Sequence, residues 1–398
     1  MLLVAAVQFV NILDFVMVMP MGPDFVAALG IPSSRLGLIG GSYTAAAAVA
    51  GLVGSLFLDR FDRRPALGVA MLGLVLGTAL GGLATGLGTL MMARMVAGAF
   101  GGPATSLSLS IVADVVPPER RGRAMGIVMG SFSIAQVIGV PAGLELARRF
   151  GWTAPFFVVA GIGLLIALVA VFLLPSLRGH LAERHEEVPA SQLFTQRNVL
   201  LSWVMTFVVM AAGFVLIPNI SAYVQYNLGY PRSRLGLLYF IAGLVSLVGL
   251  QLAGRFTDRF GSFRVGTLGT ALLTFAIFAG FVLSPPILPV VGIFVTFMLA
   301  MSFRNVAYTT LTSKVPRIGE RARFMSIQSA VQHGASAAGA FFSARLLTEV
   351  PSGALVGMEH VAFTAIALTL TLPAFLFAVE SAVRRRAAPP LVSAPELQ

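Results

Sequence analysis

Cysteine is absent from the 398 residues, which excludes disulfides, thiol chemistry and paired-cysteine metal sites. Charge is scarce: Asp, Glu, Lys and Arg make up 11% of the chain, against roughly a quarter in soluble domains. With 57% apolar residues, most of the surface must face lipid or other buried helices, so a soluble two-domain enzyme is excluded. No GxxxxGKS/T or HExxH pattern occurs, leaving ATP-driven transport and catalysis without visible machinery. Met17, Met19 and Met21 do not make a thioether metal site, because a spacing of two spreads them around a helix. No metal and no cofactor is expected. The start, MLLVAAVQFV, has no basic segment and reads as the first span rather than a removed signal peptide. Asn219-Ile220-Ser221 lies inside an apolar run, out of reach of glycosylation.

What the chain does have is a repeat. Gly30 to Leu38, GIPSSRLGL, returns 199 positions later as GYPRSRLGL, Gly229 to Leu237, with seven of nine residues matching. Asp59-Arg60-Phe61 falls on Asp258-Arg259-Phe260 at the same offset, and Arg121, Arg123 and Met125 fall one position further on, at Arg321, Arg323 and Met325. Two copies of one unit in so apolar a chain point to a transporter with its site between the halves.

About 20 apolar residues cross a bilayer as a helix. On that measure there are twelve spans, near 2–26, 36–58, 66–86, 88–112, 125–147, 152–175, 199–223, 234–256, 265–284, 287–311, 324–347 and 360–380. The expected fold is an all-α membrane protein of two six-helix bundles, residues 1–175 and 199–383, joined by a cytoplasmic linker at 176–198 and followed by a disordered tail at 384–398. Nineteen basic residues fall in one set of loops and six in the other, which places both termini in the cytoplasm. The net charge of +11 is therefore a topology signal, and nucleic acid is not an expected partner.

Asp14 lies near the middle of the first span, where so short a side chain cannot reach the interface. Its insertion costs about 2.5–3.5 kcal/mol, so a functional role is expected, with a structural ion pair as the alternative. Arg94 lies inside the fourth span and begins Arg94-x-x-x-Gly98-x-x-x-Gly102, whose glycines share a face and allow close packing. The fifth span carries Gly139-Val140-Pro141-Ala142-Gly143, glycines and a proline that bend a helix and admit its neighbour. Polar residues within spans are the candidate cavity lining: Asn11, Gln136, Asn219, Gln225, Arg304, Asn305, Gln328, Gln332 and His333. Scattered amides among 16 Met and 30 Phe suit a small amphipathic cargo.

The loop Ser55 to Arg64, SLFLDRFDRR, resembles the signature G-x-L-x-D-R-x-G-R-R/K of the major facilitator superfamily, and Gly254 to Gly261, GRFTDRFG, echoes it. Ser55 and Asp62 depart from the family glycines, and the second copy lacks the final basic pair. Arg94 with Gly98 is similar to the family's fourth-span R-x-x-x-G, and Gly139 to Gly143 resembles the exporters' G-P-x-x-G with one residue interposed. Together these resemble the twelve-span drug:proton antiporter and bacterial sugar-efflux branch. The resemblance implies a cytoplasmic gate formed by Asp59, Arg60, Arg63, Asp114, Asp258 and Arg259, with Asp114 the partner of Arg63. First and fourth spans pack together in that fold, so Asp14 and Arg94 become the expected proton-coupling pair. The implied protein is a monomeric, proton-driven exporter of a small amphipathic molecule, drug or sugar in a bacterial inner membrane. A facilitator or importer without proton antiport and a lysolipid or glycolipid flippase are the alternatives.

Overall fold

With no water in the hydrocarbon to take up backbone hydrogen bonds, long apolar runs satisfy them internally as helices. The computed structural model describes residues 2–54, 58, 61–174, 190–317 and 320–387. Its N-terminal half comprises α1 (Leu2–Val18), α2 (Gly22–Leu29), α3 (Leu36–Gly54), α4 (Arg63–Gly82), α5 (Leu87–Val115), α6 (Pro118–Ile134), α7 (Val140–Phe150) and α8 (Ala154–Leu173). The C-terminal half comprises α9 (Ala190–Phe194), α10 (Arg197–Leu216), α11 (Ile220–Ala222), α12 (Arg232–Phe260), α13 (Ser262–Ile277), α14 (Val290–Thr312), α15 (Arg321–Leu346) and α16 (Met358–Ala387). A two-stranded antiparallel ribbon, Thr348–Glu349 with Leu355–Val356, joins the last two helices.

Among the described residues, ten segments are long and apolar enough to cross a membrane. An eleventh is the pair α1 and α2, bent by 60° at their break. The first span was expected to run unbroken over 2–26. Pro20 and Pro23 lack the N–H that would continue the ladder, so the chain turns at Met19–Met21 instead. α15, 26 residues long, occupies the expected eleventh-span position. Its Gln328, Gln332 and His333 make it less apolar than the others. These segments are consistent with twelve spans. Part of the expected linker is helical, as α9, and Leu193 of that turn is buried against the C-terminal half. Residues 175–189 of the linker and 388–398 of the tail lie outside the described residues.

The repeat extends to the backbone. Gly30 and Gly229, which open the two copies of the nonapeptide, both take the left-handed conformation, with φ of 61° and 65°. Each turns the chain into the next span at no steric cost to a side chain. The end of the molecule bearing these loops is called the repeat end below, and the opposite one the terminus end.

Glycines set how closely the helices approach. On α5, Gly98 faces the backbone carbonyl of Tyr43, and a side chain there would overlap it. The two halves meet along α3 and α15, where Gly37 faces the Ala340 carbonyl, and along α12 and the α6–α7 junction, where Gly243 faces the Gln136 carbonyl. Small residues at such seams let backbones touch, which is where helices in lipid gain their packing energy.

Candidate functional site

Asp14 on α1 is 0% exposed and Arg94 on α5 is 1% exposed. Arg94 donates Nη1–H to Asp14 Oδ1 at 2.9 Å and Nη2–H to Oδ2 at 2.5 Å, a bidentate arrangement. Thr78 of α4 donates to the same Oδ1 at 2.7 Å, so three helices converge on one carboxylate. The Tyr43 ring of α3 covers the guanidinium, with the Arg94 Cζ 4.8 Å from the ring centroid. The carboxylate faces the bundle interior rather than hydrocarbon, and it exchanges with water only if these helices part.

Sequence reasoning named Asp14 and Arg94 but missed Thr78 and Tyr43. One threonine or tyrosine among many in apolar spans carries no signal of its own.

Asn11, one turn before Asp14, was expected to line the cavity. It is buried instead, and its amide is fully engaged: Nδ2 donates to the Gly101 carbonyl at 2.8 Å and to Thr105 Oγ1 at 2.7 Å, while Oδ1 accepts from the Tyr43 hydroxyl at 3.0 Å. Gly101 makes this approach possible, since a Cβ there would meet the Asn11 oxygen at 2.7 Å. Asn11 therefore ties α1 to α3 and α5 and braces Tyr43 over Arg94.

The other expected cavity residues scatter. Asn219 is fully buried and donates to Ser343 Oγ at 3.1 Å, between α10 and α15. Gln328 is buried and donates to Thr206 Oγ1 at 2.5 Å. Gln332 donates to the Tyr308 hydroxyl at 3.1 Å, and His333 Nδ1 lies 2.9 Å from the Ser329 carbonyl one turn back on its own helix. Gln225 donates to the Ser221 carbonyl at 3.4 Å, and Gln136 sits half-buried in the π turn at Ala135–Gly139. Asn219 and Gln328 thus stitch helices together rather than facing an opening. Arg304 is 1% exposed and, among the described residues, its side chain hydrogen-bonds only to its neighbour Asn305.

The glycines of the two motifs lie at helix contacts. Gly102 faces Ala47 of α3, while Gly139 and Gly143 face Leu13 and Met17 of α1. Pro141 is the second residue after the π turn, and its carbonyl lies against Gly236 of α12.

At the terminus end, Arg63 Nε donates to Asp114 Oδ2 at 3.2 Å, joining the start of α4 to the end of α5. Asp59 and Arg60 lie outside the described residues. Asp258 and Arg259, expected to repeat this gate in the second half, form no ion pair there among the described residues. Both are exposed, and Arg259 lies over the Phe260 ring, 5.3 Å from its centroid.

An acid from elsewhere fills the gap. In the first copy Asp62 caps α4, accepting from the Arg64 amide at 3.0 Å. Gly261 stands at the equivalent position in the second copy, and Glu380 of α16 accepts from the Phe263 amide at 2.6 Å in its place. Arg384 holds Glu380 from the next turn. The sign in the sequence was an acid directly after the last apolar run, one turn before Arg384; it was not read.

At the repeat end the halves are strapped. Arg232 donates to both oxygens of Asp24, at 2.9 and 2.8 Å, and to the Leu144 carbonyl at 3.2 Å. Glu349 accepts from the Ser33 hydroxyl at 2.8 Å and from the Ser34 amide at 3.0 Å. The Tyr226 hydroxyl donates to the Pro23 carbonyl at 3.3 Å. Along α3 the face against α15 is buried at Gly41, whereas Leu52, three turns further on, is 46% exposed.

Known proteins share this architecture. The family model for the Major Facilitator Superfamily matches residues 4–340. The uncharacterized MFS-type transporter YceJ of Bacillus subtilis (strain 168) is 22% identical over 370 residues, 92% of this chain and 93% of YceJ. The uncharacterized MFS-type transporter YtbD of the same organism is 26% identical over 152 residues, and the alignment spans 38% of each chain. Among solved structures, a D-xylose-proton symporter superposes with a TM-score of 0.75 at 17% identity, covering 94% of this chain and 96% of the symporter.

Proposed function

The chain belongs to the major facilitator superfamily, and from that premise we propose that it is a proton-coupled exporter of a small amphipathic molecule. Membership makes it a membrane transporter rather than an enzyme. In the proposed cycle the bundles at 1–175 and 199–383 rock about a central cargo site, in a bacterial inner membrane with both termini cytoplasmic. The energy source is the proton gradient, and no cofactor takes part.

One observation carries the reading: a wholly buried carboxylate, Asp14, held by Arg94 and Thr78 where three helices meet. Removing an ion pair from water costs more than its attraction returns unless the geometry is very good, so such a pair is weak evidence for stability alone. Protonating Asp14 removes one charge of the pair and loosens the junction of α1, α4 and α5. Protonation and helix position are thereby coupled, since a ligand shifts an equilibrium only through unequal affinity for its two states. The proton entering the cell contributes about 2.3 kcal/mol per 100 mV, enough to bias states a few kcal/mol apart.

The strap at the repeat end fits a form closed to the outside. The packing of Gly139 and Gly143 on α1 supports export, because it joins the exporter-like motif directly to the helix that bears Asp14.

The test is uphill transport in proteoliposomes under an imposed pH gradient, using compounds that raise the melting temperature of the purified protein. Concentrative movement that dissipates with the gradient supports the proposal. Equilibration to equal concentrations regardless of the gradient assigns a facilitator instead.

A further inference from the structure

Arg94 and Arg304 are equally buried but differently balanced. Arg94 has a carboxylate on both of its terminal nitrogens. Arg304 pairs with no carboxylate among the described residues. Its Nε and Nη2 reach Asn305 Oδ1 at 3.4 and 3.3 Å, both long, and Nη1 has no hydrogen-bond partner among the described residues. A guanidinium cannot shed its charge and is strongly disfavoured in a dry interior without a counter-charge. A fold retains such a group where something else supplies the anion.

The surroundings say what kind of anion fits. Nη2 lies 3.5 Å from the point where a side chain on Gly213 of α10 would begin, beside Ile217 and Met301. Glycine at that position leaves room for about a methyl group beside the guanidinium, among apolar groups, so a ligand reaches Nη2 only as α10 and α14 part. Phe214, the next residue, stacks on Phe15 of α1 with ring centroids 6.1 Å apart. Phe15 follows Asp14 directly, so the residue next to Gly213 on α10 reaches the seam between the halves. One guanidinium offers a planar fork to one carboxylate, whereas a phosphate dianion calls for a second cation.

We propose that Arg304 anchors the carboxylate of a monoanionic cargo with an apolar body, seated between α10 and α14 beside Gly213. The cargo then supplies the counter-charge that Asp14 supplies to Arg94. The assignment rests on the chain being a transporter with cargo between its halves. It does not depend on the direction of transport or on proton coupling.

The experiment uses the full chain in detergent, with unfolding followed by the fluorescence of its two tryptophans. Sodium benzoate is titrated at constant ionic strength against chloride, with inorganic phosphate in a parallel arm. Benzoate is expected to raise the melting temperature saturably, and phosphate and chloride to leave it unmoved. Arg304→Gln is expected to abolish the benzoate response.

Gly213→Asp offers a second reading that does not require the charge to be removed. It places an internal carboxylate beside Nη2, so the unliganded protein should melt higher and ignore benzoate. A wild type indifferent to benzoate, or an Arg304→Gln protein that responds as the wild type does, overturns the proposal. So does a Gly213→Asp protein that still responds to benzoate, and a phosphate response larger than that to benzoate overturns the carboxylate assignment. Loss of this proposal leaves proton-driven export of a neutral cargo standing. Loss of proton coupling leaves benzoate binding at Arg304 untouched.

Discussion

Ser33 and Arg232 stand at the same position of the repeated loop, and each bonds to the opposite half: Ser33 to Glu349, Arg232 to Asp24. Their identities are one of the two mismatches in the nonapeptide. The crossing is shared while the chemistry differs, so the repeat end carries one ion pair and one hydroxyl–carboxylate bond rather than two alike.

Arg232→Gln is expected to loosen this end. The pair is bidentate, with side chains 24% and 17% exposed, so it is screened less than a surface pair. A loss of about 1–2 kcal/mol shifts the balance between closed and open forms by about 5–30-fold. Spin labels at Arg35 and Val350, both exposed and on opposite halves, report it in a chain with no native cysteine to remove. A longer-distance population should grow in the variant. An unchanged distribution would show that the strap does not set the state.

Asp14 and Arg94 are expected to fail singly and survive jointly. Asp14→Asn leaves a buried guanidinium without its counter-charge, at a cost of about 3–5 kcal/mol, while replacing both partners by apolar residues is often neutral. Asp14→Leu combined with Arg94→Met should therefore melt close to the wild type and yet lose all gradient-driven transport. Retained uphill transport in the double variant would make the pair structural.

Glu380→Ala is expected to cost about 0.5–2 kcal/mol, the range for losing a capping side chain at a helix start. It should match Asp62→Ala in the first half, since each acid meets the second amide past the equivalent loop position. Chemical denaturation in mild detergent measures both. An Asp62→Ala loss with no Glu380→Ala loss would mean that Glu380 is not the substitute cap.

Two glycines are expected to separate stability from state. Gly98→Ala drives a methyl into the Tyr43 carbonyl within one half and should cost about 1–3 kcal/mol without altering the Arg35–Val350 distance. Gly37→Ala drives one into the Ala340 carbonyl across the seam and should lengthen that distance. Equal effects of both on the distance would contradict the seam assignment.

Most of the architecture was legible because its determinants are local. Apolar run length locates spans without any knowledge of neighbours, and a repeated loop shows itself by identity. Asp14 and Arg94 were legible for a related reason: charge inside a span is costly wherever it points. The broken first span was misread because hydropathy ignores the missing amide hydrogens of Pro20 and Pro23. The cavity lining was the weakest reading. Asn11, Asn219 and Gln328 look alike in sequence whether they face an opening or a neighbouring helix, and only the packing decides. Glu380 was missed because its partner amide lies 117 residues away.

Linkage between cargo and proton at Asp14 is measured most directly by the change in bound protons in lightly buffered detergent solution, across a range of pH, on adding the compound that most raises the melting temperature. The account predicts that binding to the wild type changes the number of bound protons at some pH in that range and that binding to the Asp14→Asn protein does not. A proton change that persists in Asp14→Asn, or cargo binding to the wild type with no proton change at any pH, would contradict it.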